Sequence, residues 1–299
     1  MGPNYTPLRY PGGKAKLGPY LSTVLRFNRL FDTHFVEPYA GGAGAALFLL
    51  MRGYVKTIHL NDIDPAVTSF WRAVLRHTRR FVQRIESVPL TVEEWEQQRL
   101  IYTACRTGFD LGFAFFFLNR TNRSGIMNAG VIGGKQQTGK WGIDARFNRT
   151  ELAERVRLIG SMRHLISVSA DDALDLLSGL EIRRRSDPSK LFVYLDPPYF
   201  TKGRDLYTNF YVPEDHAVIA RKLQKAHWPW LLTYDDCPEI RALYSEFQMR
   251  ESELSYSARE VRRGREIVVF GPGVRPPVVS LQREGFRLLE EETRAKRTD

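Results

Sequence analysis

Asp196-Pro197-Pro198-Tyr199 directly follows the apolar run Leu191 to Leu195, and its residue types suit chemistry on an amino group attached to a conjugated ring. The lone pair of such a nitrogen is delocalised. It becomes nucleophilic only when acceptors hold its two hydrogens and favour a tetrahedral geometry. The Asp196 carboxylate supplies one acceptor and the Pro197 carbonyl the other. Pro198 biases the preceding residue towards extended backbone and has no amide proton to close a local turn, which leaves that carbonyl free for a substrate. Tyr199 adds a ring on which a base extruded from a duplex can stack. A strand end followed by a tight proline turn would have the same four letters, so the reading depends on what else the chain contains.

Val36-Glu37-Pro38-Tyr39-Ala40-Gly41-Gly42-Ala43-Gly44 is a glycine turn that lets backbone approach a ligand at a helix N-terminus, although close helix–sheet packing explains such glycines too. Asp62 closes the next apolar run, at roughly the twenty-residue spacing that places a carboxylate on ribose hydroxyls. A dinucleotide site is the rival. Against it, Glu37 at the start of the turn repels a pyrophosphate but suits a cationic sulfonium and amino group. Gly-Lys-Ser or Gly-Lys-Thr does not follow, which disfavours a phosphate loop. Near the N-terminus, Arg9-Tyr10-Pro11-Gly12-Gly13-Lys14 combines a tight bend with an aromatic ring and a cation, or is an ordinary basic turn.

These residues need a scaffold, and the pattern of short apolar runs alternating with helical segments predicts an α/β fold, a parallel sheet covered by helices on both faces. The expected strands are Phe35 to Val36, Lys56 to Leu60, Leu165 to Val168, Leu191 to Leu195 and Trp230 to Tyr234, with helices over Ala45 to Met51 and Ala66 to Leu75. Glu266 to Phe270 and the alternating segment before it suggest a closing hairpin at the sheet edge. Between Leu75 and Glu151 the rhythm breaks into a helical stretch, Val92 to Leu118, and a loop rich in glycine, asparagine and basic residues. The expected division is a catalytic domain of residues 1–75 and 151–272, an inserted, mainly helical target-recognition subdomain of residues 76–150, and a charged tail of residues 273–299 that is either a docked helix or disordered.

A net charge of +10 and a pI near 9.7 favour a polyanionic partner or simply a basic surface. Cys105 and Cys237 are too few for a disulfide framework or a cysteine-rich zinc site, and neither has the Pro-Cys setting of a cytosine-C5 nucleophile. The histidines lack metal-ligand spacing, His216 fits a helix N-terminus, and no metal site is expected. The N-terminus lacks the apolar run of a signal peptide and no membrane span is evident, which points to a cytoplasmic, nucleoid-associated protein.

Taken together, Tyr10-Pro11-Gly12-Gly13-Lys14, Glu37-Pro38-Tyr39-Ala40-Gly41-Gly42, Asp62 and Asp196-Pro197-Pro198-Tyr199 resemble, in order and spacing from about residue 7 to about residue 270, the Dam-type or D12 class DNA adenine N6-methyltransferases. The resemblance implies a Rossmann-like class I methyltransferase sheet, S-adenosylmethionine as cofactor, and direct methyl transfer to a flipped adenine in double-stranded DNA. It places Tyr10 and Lys14 beside the cofactor, Glu37, Pro38 and Gly41 at its methionine end, Asp62 on its ribose, and Asp171 on its adenine, although Asp171 also reads as a helix cap. Asp196, Pro197 and Tyr199 become the catalytic residues, with Asp196 also bordering the cofactor. The segment Phe117 to Gly125, with the basic, hairpin-like stretch onward to Arg149, resembles the family's recognition region. Arg120, Arg123, Lys135 and Lys140 there, and Arg259, Arg262, Arg263 and Arg265 in the late hairpin, are the candidate DNA contacts; solvated loop charge or a protected sheet edge explains them equally. A restriction or defence system is a candidate functional partner. Cytosine-N4 or RNA adenine methylation, an inactive nucleic-acid-binding regulator and a nicotinamide enzyme are the alternatives.

Overall fold

Alternating apolar side chains divide the centre of the structure into two cores. In β1 (His34–Glu37), Phe35 enters one buried cluster and Val36 the other; in β4 (Leu191–Leu195), Phe192 and Tyr194 enter the first, Val193 and Leu195 the second. A strand covered on both faces by helices has this pattern of continuous hydrophobicity. The computed structural model describes residues 5–9, 17–183, 191–201, 211–258, 260–277 and 286–288, with 181–183, 253–258, 260–264 and 286–288 described by their backbone alone.

The other strands are β2 (Thr57–Asn61), β3 (Ile166–Ser169), β5 (Trp230–Asp235), β6 (Gln248–Ala258), β7 (Glu260–Phe270) and β8 (Phe286–Leu288). Among the described residues they form one sheet of eight strands in the order β3-β2-β1-β4-β5-β7-β6-β8. β1 to β5 run parallel, and β7 returns antiparallel between β5 and β6. The first core is roofed by α1 (Gly18–Phe27), α2 (Gly44–Met51), α3 (Pro65–Arg76), α4 (Thr78–Ser87), α5 (Val92–Ala104), α6 (Phe109–Thr121) and α7 (Arg149–Ser161). The second is roofed by α8 (Ala173–Arg183), α9 (Pro213–Gln224) and α10 (Pro238–Leu243). This is the Rossmann-like methyltransferase sheet expected, with helices on both faces.

Three local expectations need correction. The helical stretch from Val92 to Leu118 is two helices, because the chain breaks at Gly108, whose φ of 107° is open to glycine, and whose amide donates to Ser69 Oγ at 3.2 Å. The late hairpin does not close the sheet, since β8, formed by the charged tail, pairs antiparallel with β6 beyond it. The hairpin-like stretch after Gly125 contains, among the described residues, a single antiparallel bridge from Asn122 to Val131 and short turns. α6 reaches the core by close approach to α3: a Cβ on Gly112 would stand 2.6 Å from the Ser69 carbonyl oxygen.

Candidate active site

From β1 the chain winds outward to β2 and β3 on one side, while β4 and β5 lie on the other, so strand order reverses between β1 and β4. The crevice beyond the carboxyl ends at such a reversal is where open α/β sheets bind ligands. β1 ends there in Glu37-Pro38 and β4 in Asp196-Pro197. Asp62 follows β2, and Asp171 lies just past β3. Four strand ends thus bring together the acidic residues singled out in the sequence.

Asn61, which sequence reasoning passed over, ties these ends to one another. Its buried side chain donates to the carbonyls of Pro38 and Asp171, both at 3.0 Å, and accepts from the Asp171 amide at 2.9 Å and Ser169 Oγ at 2.6 Å. Asp62 organises the glycine turn in the same way, accepting from the amides of Gly41 and Asp64, both at 2.9 Å. Gly41 adopts φ 43°, and its carbonyl receives Trp71 Nε1 at 3.0 Å. The helix cap that Asp171 might have supplied belongs to its neighbour: Asp172 Oδ1 accepts from the Leu174 amide at 2.8 Å.

Glu37 is the electrostatic centre of the crevice. Burial, reinforced by the charges of Asp196 and Asp62, holds its carboxyl well above the usual carboxylate range, against the opposing hydrogen bond from the Ala46 amide at the start of α2. Its Oε2 is buried without a hydrogen-bond partner. A buried acceptor left unmatched costs free energy unless a ligand supplies a donor. Burial also pushes Asp62 up to about 6, with the amides of Asp64 and Gly41 pulling the other way. An unmatched carboxylate among other carboxylates fits a cationic ligand group and disfavours a phosphate. The residues present therefore suit the sulfonium and ammonium of S-adenosylmethionine.

At the tip of β4, Thr233 Oγ1 donates to Asp196 Oδ1 at 2.8 Å, and Tyr194 OH lies 2.9 Å from the same threonine oxygen. Because the Thr233 proton is committed to Asp196, the tyrosine is the donor of the second bond. Among the described residues no donor reaches the Pro197 carbonyl. Tyr199 is 8% exposed, its ring packed in the second core and its hydroxyl donating to the buried Glu266. Asp235, at the end of β5, clamps the following turn by accepting from the amides of Phe200 and Thr201, both at 2.9 Å. Thr233 and Glu266 figured in the sequence only as parts of a strand and a hairpin, and Asp235 not at all; their one signal for the site is their position near the end of β5 and in β7. Tyr39 of the glycine turn meets Tyr211 hydroxyl to hydroxyl at 2.9 Å, and His216, in the first turn of α9 as expected, shares a 2.6 Å hydrogen bond with Tyr234.

Asn119 and Asn122, in the expected insertion, hold the N-terminal segment. Asn119 accepts from the Arg9 amide and donates to the Arg9 carbonyl, each at 2.7 Å, while Arg9 Nη1 donates to the Asn122 carbonyl at 3.1 Å. Arg120 is half-buried and donates Nε to the Arg146 carbonyl at 2.7 Å. Desolvation, with Arg9 and Arg155 nearby, lowers it to about 9. Arg123 and Lys140 are exposed, and exposed Lys135 pairs with Glu96 at 2.8 Å. Arg262 and Arg263 lie on β7, where only the backbone is described, and Arg265 follows them, exposed; Tyr10, Lys14 and Arg259 lie outside the described residues.

No described helix is long and apolar enough to cross a membrane. Over 214 residues, 64% of this chain and 70% of the relative, the protein is 24% identical to the Type II methyltransferase M.MjaIII of Methanocaldococcus jannaschii. The model of the D12 class N6 adenine-specific DNA methyltransferases matches residues 10–258, which span the glycine turn, the insertion and the Asp-Pro-Pro-Tyr tip. The chain belongs to that family of DNA methyltransferases.

Proposed function

We propose that the protein transfers a methyl group from S-adenosylmethionine directly to N6 of an adenine flipped out of double-stranded DNA. The observation that carries this reading is the juxtaposition, at one strand-order reversal, of an unmatched buried Glu37 carboxylate with an Asp196-Pro197 tip. S-adenosylmethionine supplies a methyl group on a positively charged sulfur, and Glu37, Pro38, Gly41, Asp62 and Asp171, with Tyr10, Lys14 and Asp196, are the residues that would hold it. Ile63, next to Asp62 and 52% exposed, offers an apolar surface for its adenine.

Asp196 and the Pro197 carbonyl each accept one N6 hydrogen, which turns the nitrogen lone pair towards the donor. Thr233 fixes the Asp196 carboxylate so that only one of its oxygens is engaged by that hydroxyl. Tyr199, held at its hydroxyl by Glu266 and packed in the second core, braces the Asp-Pro-Pro turn that receives the base. Positioning and electrostatics supply the rate, without a covalent enzyme intermediate. Residues 76–150 form the target-recognition unit, with Arg120, Arg123, Lys135 and Lys140, and Arg259, Arg262 and Arg263 across the late hairpin, gripping phosphates or base edges. Partnership with a restriction or defence system is the biological setting that goes with this reading.

Nucleoside mass spectrometry of methylation-free DNA and of RNA, each incubated with protein and S-adenosylmethionine, tests the reading. N6-methyladenine in DNA is the expected product. N4-methylcytosine, or modification of RNA alone, would overturn it.

A further inference from the structure

Of the five tryptophans in the chain, Trp71, Trp95, Trp228 and Trp230 are at most 2% exposed, whereas Trp141 is 64% exposed. An indole left in water is an unusual use of a large apolar ring. Its loop is held firmly. Gln137 donates Nε2 to the carbonyls of Ile132 and Gly134, at 2.9 and 2.6 Å, and accepts from the Ile143 amide at 2.8 Å. Val131 and Ile143 are buried anchors before and after it, and the bridge from Val131 to Asn122 fastens the loop to the end of α6.

One cation stands beside the ring: the Lys140 ammonium lies 5.6 Å from the ring centroid, and Arg123, Arg146 and Lys135, the last paired with Glu96, are exposed elsewhere on the same segment. An apolar protein surface would bury its mate among apolar neighbours. A braced loop that keeps one aromatic ring in water beside a lysine ammonium, on a segment with further exposed arginines, instead matches nucleobases, whose faces accept the ring while their phosphates meet the cations.

We infer that Trp141 is a stacking wedge that enters a base step of the bound duplex. The inference rests on the reading above in taking the bound polymer to be DNA, and it adds a residue that neither the strand-end acids nor the loop arginines supply.

Trp141 is also its own reporter, because the other four indoles are buried. Titration with sheared, methylation-free duplex DNA is expected to quench the wild-type fluorescence and to leave that of Trp141→Phe unchanged. Trp141→Ala should bind this DNA about 5- to 100-fold more weakly, with unchanged affinity for S-adenosylmethionine, whereas Trp141→Phe retains a ring and most of the binding. Wild-type fluorescence indifferent to saturating duplex, or a Trp141→Ala protein that binds as the wild type does, would overturn the wedge. The two readings fail separately. Quenching by duplex without methyl transfer sinks the methyltransferase reading and leaves the wedge standing; a methylating wild type matched by Trp141→Ala sinks the wedge alone.

Discussion

Thr233, inside β5, and Asp196, just past the end of the neighbouring parallel strand β4, share a 2.8 Å hydrogen bond in which the threonine donates. The bond orients the carboxylate, and the Tyr194 hydroxyl behind it orients the threonine. Thr233→Val keeps the volume but leaves both partners short of one bond, at a cost of about 1–3 kcal/mol in stability. Its larger effect is expected on kcat rather than on KM for S-adenosylmethionine, since the carboxylate loses orientation while the cofactor residues on β1 and β2 are untouched. Steady-state kinetics alongside thermal denaturation separates the two effects.

Asp196→Asn preserves shape but replaces one acceptor face with a donor that opposes the N6 hydrogens. A loss of about 10²- to 10³-fold in methyl transfer is expected, with S-adenosylmethionine still bound as measured by calorimetry. A variant that methylates at the wild-type rate removes Asp196 from the mechanism.

On the proposed reading, the crevice carboxylates make cofactor binding depend on pH. Glu37 and Asp62 both titrate above their ordinary values because they are buried, Asp62 at about 6. A cation favours their ionised forms, so affinity for S-adenosylmethionine should rise as pH increases through about 6. The ligand-free protein is expected to follow the opposite trend in stability. A raised folded pKa contributes stability that is fully present below the unfolded value of 3.8 for Asp62 and is lost as pH climbs through about 6. Asp62→Asn should flatten that decline, and Glu37→Gln should weaken cofactor binding about 10-fold or more while, by the same linkage, raising ligand-free stability at neutral pH. Melting curves at several pH values, with and without cofactor, check all three outcomes.

Gly112 sits where α6 meets α3, and alanine there would force its methyl to within 2.6 Å of backbone at Ser69. Gly112→Ala is expected to destabilise the fold by about 1–3 kcal/mol, and to reduce DNA methylation through displacement of α6. A chemical denaturation midpoint equal to that of the wild type would show that the helices part at no cost.

What was legible in the sequence was local. The Asp-Pro-Pro-Tyr tip, the glycine turn and Asp62 announce themselves through turn chemistry next to an apolar run, and the strands of the parallel sheet follow from apolar periodicity. What was not legible depends on contacts between distant positions. Asn61 meets Asp171 from 110 residues away, and Glu266 meets Tyr199 from 67. Neither residue type signals its role, because an asparagine at a strand end or a glutamate within a strand becomes a tie only once the strand order is known. The break at Gly108 was hidden for a related reason: the apolar richness of α6 reflects burial on all sides rather than one helical face, which erases the period that would mark its start.

The two-way clasp between Asn119 and Arg9 bears on how such an enzyme can be re-targeted. On the proposed reading, in which residues 76–150 carry target recognition and Tyr10 and Lys14 border the cofactor, the segment leading into Tyr10 takes its seat on the recognition unit. Grafting another relative's unit into that interval would then also alter this seat, and a retained Asn119 is what would keep it.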